Sequence, residues 1–382
     1  MKSIGSMLAA VMLALLVSGC WNSKDVQKMA YVTALGFDYA DGKIVSYVQV
    51  LNFSNVAKGE TSQVGKSVPV WVGKGEGITV TESLTDIYST SQIRIFWGHI
   101  KAIVCTESFM QNGQRIKEAY DMVNRYREIR YNVLLYGTKD NLRDIFIQKS
   151  LLNFSPIDTV MSTPSQIYTQ RSFILPVYGF KLIAQFNEAG SPIMLPSITV
   201  AKGDWTEDQK KKSMLRINGA YFFRKLDMIG WLPENDLAGY RWLQQKLERS
   251  PINVPNDSNP AVALVLTKPK FKVTAVIDGD VKYKIHVKLH AYLDEMIRDI
   301  TEKEIEDQAA QVIKEEIMAT YKKGLRIKAD IFKLDEVLYR NHPKLWRERH
   351  ARGDFLLTPD SISEIEVKIS LLHTGKYKGR VN

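Results

Sequence analysis

The sequence predicts an α+β protein: two mixed-sheet domains with helices packed on the sheets, behind an N-terminal lipoprotein signal. Three features predict it. Strand-like runs alternate with amphipathic helical runs, a polar stretch near residue 200 divides the chain, and an apolar opening stops at a cysteine.

Residues 1–19 read as an export signal. Lys2 supplies one positive charge, an apolar block runs from Ile4 to Val17, and small residues follow. The block offers only about 14 apolar residues, short of the roughly 20 that a membrane-spanning helix needs. Val17-Ser18-Gly19-Cys20 is the order used in bacterial lipoprotein processing, where the cysteine thiol takes a diacylglyceryl group and becomes the first residue of the mature chain. Two acyl chains at about 0.8 kcal/mol per buried methylene make a durable anchor. Cys20 is therefore the expected lipid-attachment residue. Ordinary secretion with an accidental cysteine and an uncut tethering helix are the alternatives.

Behind the signal, 45% hydrophobic and 25% charged residues suit a globular body. Removing the signal leaves about 360 residues, room for two or three domains. The other cysteine, Cys105, lies in the apolar run KAIVCTESF, where a small buried thiol is expected. A processed chain has no internal disulfide, so the fold rests on its cores. The formal charge of +10 becomes +9 without Lys2. Export argues against nucleic acid as the partner, whereas an anionic lipid surface attracts exposed basic residues.

The first domain is expected over 20–200. YVTALGFDYADGKIVSYVQVLNF forms two strands around Asp41-Gly42, a dipeptide suited to a tight hairpin. SVPVWV is a strand, GKGEG a turn and TVTESLTDIYST a helix. RIFWGHIKAIVC reads as one strand over 94–105. QRIKEAYDMVNRYREIR is an amphipathic helix, YNVLLYG a strand and TKDNLRDIFIQ a shorter helix. Several prolines follow, then AKGDWTEDQKKKS, read as an exposed linker over 201–214.

The second domain is expected over 215–382, folding separately. Two strands turn through Lys225-Leu226-Asp227, and Pro233 opens a short helix. FKVTAVI and VKYKIHVKLH pair across Asp278-Gly279-Asp280. Val281, Tyr283, Ile285, Val287 and Leu289 face a core, while Lys282, Lys284, His286, Lys288 and His290 form a basic outer face. In TEKEIEDQAAQVIKEEIMATYKKG, Thr301 and Glu304 make a capping box and Gly324 stands where the helix should stop. NHPKLWRERHARGDF and the alternating SEIEVKISLLHTG complete the pattern.

Chemistry-bearing motifs are sparse. Gly73–Gly77 (GKGEG) lacks the Gly-Lys-Ser/Thr ending of a phosphate loop and is expected to be a tight turn. His286 and His290 would stand about 13 Å apart on a strand, too far for one ion, and no HExxH glutamate accompanies them. His99, beside Trp97 and Gly98, reads as structural. There is no G-x-S-x-G elbow. No catalytic residue, cofactor or metal site is assigned.

GCWNSKDVQKMAYVTALGFD resembles the opening of the Ger(x)C family of spore germination C-subunit lipoproteins. GEGITVTESLTDIYS with WGHIKAIV, then NGAYFFRKLDMIGWLPENDLAGYRWL, and ADIFKLDEVLYRNHPKLWRERH with VKISLLHTG continue the likeness in order along nearly the whole chain. Tyr221 replaces a usually smaller residue, and Phe332-Lys333-Leu334 stands in a usually glycine-rich stretch. The resemblance implies a non-catalytic subunit of a nutrient germinant receptor on the outer face of the spore inner membrane, acting beside integral-membrane A and B subunits. Cys20 is the only functional residue it carries over. A free solute-binding lipoprotein and an exported cell-wall hydrolase are the competing expectations.

Overall fold

The computed structural model describes residues 29–51, 69–188, 193–351, 353 and 355–372. The expectations for the signal and for Cys20 lie outside them. Two sheets carry the fold.

The first sheet has nine strands. β1 (Met29–Ala40) and β2 (Lys43–Leu51) form the expected hairpin, with Asp41 and Gly42 both at positive φ. β3 (Trp71–Gly77) extends it on one side. α1 (Val80–Ser91) leads to β4 (Arg94–Phe96), which pairs with the start of β1, and β5 (Ala102–Thr106) pairs parallel with its middle. The run expected as one strand over 94–105 is thus broken at Trp97–Lys101, because the two pieces meet different levels of β1. α2 (Glu107–Met110) and α3 (Gly113–Arg125) cross over to β6 (Leu134–Thr138), again parallel. α4 (Leu142–Phe146), α5 (Ser165–Gln170) and α6 (Gly179–Asn187) precede β7 (Ile193–Glu207), which pairs parallel with β6 at Gly137 and Ser197. β8 (Lys210–Arg224) and β9 (Asp227–Pro233) finish the sheet antiparallel.

Period-two alternation sorts the strands' side chains between two cores. Leu35, Phe37, Ile103, Cys105 and Leu135 pack with α1, α3 and α6 on one face. Ala34, Ala102, Val104 and Tyr136 pack with Leu142, Ile145 and Phe146 of α4 on the other. Parallel strands covered on both faces explain the almost uninterrupted apolar runs.

The second sheet is β10 (Ser250–Val254), β11 (Val262–Asp278), β12 (Asp280–Met296) and β13 (Ile362–Leu372), in that order. The hairpin through Gly279 stands as expected, and β13 adds to β12 in parallel. α7 (Glu302–Arg326) lays Ile305, Val312, Ile313 and Ile317 on this sheet. Its capping box is present: Thr301 N–H donates to Glu304 Oε2 at 3.0 Å and Glu304 N–H to Thr301 Oγ1 at 3.3 Å. Gly324 does not stop the helix, which runs on to Arg326. The glycine lets the chain fold back, since a Cβ there would lie 2.7 Å from the Ala329 carbonyl. α8 (Leu334–Asn341) and α9 (Pro343–His350) cap the sheet's end.

Two further differences concern the division of the chain. Residues 201–214 are not a loop: they form the outer part of the β7–β8 hairpin, paired out to Glu207 and Lys210. Both faces of that part meet solvent, so its sequence has no apolar alternation to mark a strand. The halves also share a strand. Tyr221 and Phe223 of β8 enter the core beneath α1, α3 and α6, while Ala220 and Phe222 enter the core of the second sheet beside Trp242 of the 3-10 helix Glu234–Leu243.

Candidate functional site

The chain enters its described fold at Met29, nine residues beyond Cys20. Among the described residues, no helix is long and apolar enough to cross a membrane, and no cluster of three or more His, Cys, Asp or Glu is arranged to hold a metal ion.

GKGEG is neither turn nor phosphate loop but the body of β3. Its alternate glycines face α1: a Cβ on Gly75 would meet the Ser83 carbonyl at 2.2 Å, and one on Gly77 would meet Ser83 N at 2.6 Å. The glycines let helix and strand approach, a packing role that spacing alone does not reveal. Ser46 Oγ and Ser83 Oγ join strand to helix across this contact at 2.5 Å.

His286 and His290 lie on the outer face of β12 as expected, but the face is not uniformly basic. β13, 80 residues further along, brings Glu364 and Glu366 alongside. Lys284 Nζ lies 2.7 Å from Glu364, His286 Nδ1 lies 2.6 Å from Glu366, and Lys368 Nζ lies 2.8 Å from Glu366. Hydrogen bonds from Lys368 and His286 hold the Glu366 carboxyl down at about 2. Alternation in SEIEVK was the sequence signal for this pairing, but parallel neighbours so distant in sequence cannot be registered from it. His99 lies in the turn between β4 and β5, edge-on to Tyr31 with ring centroids 5.2 Å apart. Burial lowers its pKa, with Lys101 and Arg130 adding to the effect. Cys105 is fully buried, which pushes its thiol well above the ordinary range and leaves it inert.

Sequence reasoning missed a cavity whose walls converge from segments far apart in the chain. A space of about 330 Å³ opens where the two halves meet, between α6, the β8–β9 turn and α8–α9. Asp335, Trp346 and His350 form its polar wall. Trp346 Nε1–H donates to Asp335 Oδ2 at 2.8 Å, His350 Nε2 lies 3.2 Å from the same oxygen, and the His350 ring stacks on Trp346 at 4.1 Å. Burial raises the Asp335 pKa, while the Trp346 hydrogen bond and the charges of His350 and Arg349 oppose the rise. Beneath it, Asp330 accepts from the Leu334 and Asp335 amides at 3.0 and 2.8 Å, fixing the first turn of α8. Arg224 also lines the space, 5.8 Å from the Phe355 ring. The volume suits a small molecule. Asp335 and His350 are engaged with each other and with Trp346, and among the described residues no serine or cysteine lines the space.

Fold and cavity describe a two-sheet α+β body with a small-molecule-sized space at the junction of its halves, and comparison with known proteins gives its family. Residues 22–200 match the spore germination protein N-terminal domain, and 218–375 match the spore germination B3/GerAC-like C-terminal domain. The chain belongs to this spore germination (Ger(x)C) family. It is 22% identical to spore germination protein YndF of Bacillus subtilis, over 99% of this chain and 98% of that one. It is 19% identical to spore germination protein B3 of the same organism, over 93% and 96%. The crystal structure of the GerBC protein shares the fold, with a TM-score of 0.52 at 14% identity over 88% of this chain and 96% of that one.

Proposed function

We propose that this protein is the lipid-anchored C subunit of a nutrient germinant receptor. Acylated at Cys20, it is held on the outer face of the cell or spore inner membrane. It acts without catalysis beside integral-membrane A and B subunits to trigger germination. The observation that carries this reading is the family match over both halves of a chain whose apolar opening ends in Val17-Ser18-Gly19-Cys20. A tether on the same surface as its partners raises their effective concentration, so a modest interface suffices.

The test is Cys20→Ala, read by mass spectrometry of the N-terminal peptide, membrane fractionation and germination rate. The expected outcome is loss of the acyl mass, an uncleaved or released chain and slower germination. Lipid labelling equal to that of the wild type would sink the anchor, and failure of A and B proteins to co-purify with the acylated chain would sink the assembly.

The cavity at the junction of the halves favours a second reading, a free solute-binding lipoprotein. It requires saturable binding of a small nutrient by the isolated protein, measurable by calorimetry and abolished by filling the space with Leu356→Trp.

A further inference from the structure

The structure assigns a membrane-facing edge: the end of the first sheet bearing Tyr131, Tyr178 and Phe180 rests on an anionic lipid surface. The inference builds on the lipid-anchor reading and adds which part of the body meets the bilayer. β1, β4, β5 and β6 run parallel, so the residues preceding each strand gather at one end of the sheet. Met29 is there, and nine residues reach at most about 32 Å, so Cys20 keeps that end close to the surface holding its lipid.

The chemistry of the end suits such a surface. Tyr131 is 71% exposed, and Tyr178 and Phe180 also stand out into solvent. The Phe180 ring lies 5.7 Å from Tyr131 and 5.9 Å from Tyr178, so the three form one patch. Backbone bonds tie the patch to the strand starts: Gly179 N–H donates to the Val133 carbonyl at 2.8 Å, and Leu134 N–H to that of Lys101 at 2.9 Å. Lys101, Arg127, Arg130 and Lys181, in the patch's own and adjoining segments, are all exposed, with Lys181 Nζ 5.9 Å from the Phe180 ring. The carboxylate in these segments, Glu128, already lies 3.7 Å from Arg94. Tyrosine and basic side chains around an apolar ring are the residues a headgroup layer accommodates. The β1–β2 turn lies at the opposite end of the sheet, and the β7–β8 hairpin runs the same way, parallel to β6. This orientation leaves both clear of the bilayer.

The test uses the full chain, acylated in its host and reconstituted in phosphatidylglycerol-containing vesicles, phosphatidylcholine vesicles or an uncharged detergent. The mass of the N-terminal peptide reports the anchor, and hydrogen exchange at 127–131 and 178–181 reports the edge. The expected result is slower exchange in the anionic vesicles than in phosphatidylcholine or detergent, reversed by salt. Lys101→Gln with Arg130→Gln should weaken the protection by up to ~25-fold, about fivefold per charge removed. Tyr131→Ser with Phe180→Ser should also weaken it without changing exchange in the cores. An acylated chain whose edge exchanges equally in all three media overturns the inference and leaves the anchor intact. Protection that appears only when other membrane proteins are present overturns it in favour of a protein contact. Protection without an acyl mass keeps the edge and removes the anchor.

Discussion

Removing the carboxylate of Glu316 should destabilise the second half of the protein more than any exposed charge change. Arg241 is 3% exposed, and its Nη2–H donates to both Glu316 oxygens, at 2.9 and 3.0 Å. Trp242 Nε1–H donates to Glu316 Oε2 at 2.6 Å, so one carboxylate on α7 holds both Arg241 and Trp242 of the 3-10 helix. The guanidinium lies between the rings of Phe173, at 4.1 Å, and Trp242, at 4.3 Å. Burial lowers the Arg241 pKa, and the Glu316 charge and hydrogen bond pull it back. Glu316→Ala therefore strands a buried cation, at a cost of about 3–5 kcal/mol. A cooperative unit of 150–250 residues shifts by about 2–4 °C per kcal/mol, so calorimetry should show a drop of roughly 6–20 °C. Arg241→Met with Glu316→Leu removes both charges, leaving chiefly the unpaired Trp242 N–H, about 1–3 kcal/mol. The double variant should be more stable than Glu316→Ala. Equal losses would refute the reasoning, because stranded charge would then not be the cause.

Gly75→Ala drives a Cβ to 2.2 Å from the Ser83 carbonyl and should cost at least the ~1–3 kcal/mol of overpacking. Gly42→Ala, in open space at a φ of +77°, should cost about 1 kcal/mol; urea midpoints in the reverse order would contradict the packing role of β3. Thr301→Ala removes the capping box of α7 and should lower stability by about 0.5–2 kcal/mol, with raised hydrogen exchange confined at first to 301–305 as the local check. Burial pushes the Asp330 carboxyl up to about 6, against the hydrogen bonds from Asp335 and Leu334. The native state then holds a proton that the unfolded chain has lost, so stability falls as pH rises from about 4 to about 6, by up to ~3 kcal/mol. Asp330→Asn should flatten that slope in denaturant titrations, and an unchanged slope would exclude Asp330 as its source.

The strongest local signals are legible in this sequence. Period-two and 3.6 patterns locate the β1–β2 and β11–β12 hairpins, α3 and α7, and the capping box of α7 is readable as Thr301 and Glu304. Each is decided within a few residues, by turn chemistry or by one buried face. The apolar stretch ending at Cys20 sets the expectation of an anchor before any fold exists. Only the tertiary structure decides what distant segments do to one another. It shows that GKGEG is a strand giving room to a helix, and that Glu364 and Glu366 are set against Lys284 and His286. It also shows that 201–214 is paired backbone, and that β8 serves two cores at once. The physical reason is the same throughout: a strand's partner is chosen by the burial it completes and the backbone bonds it satisfies across the whole chain. Neither quantity is written in the few residues of the strand itself.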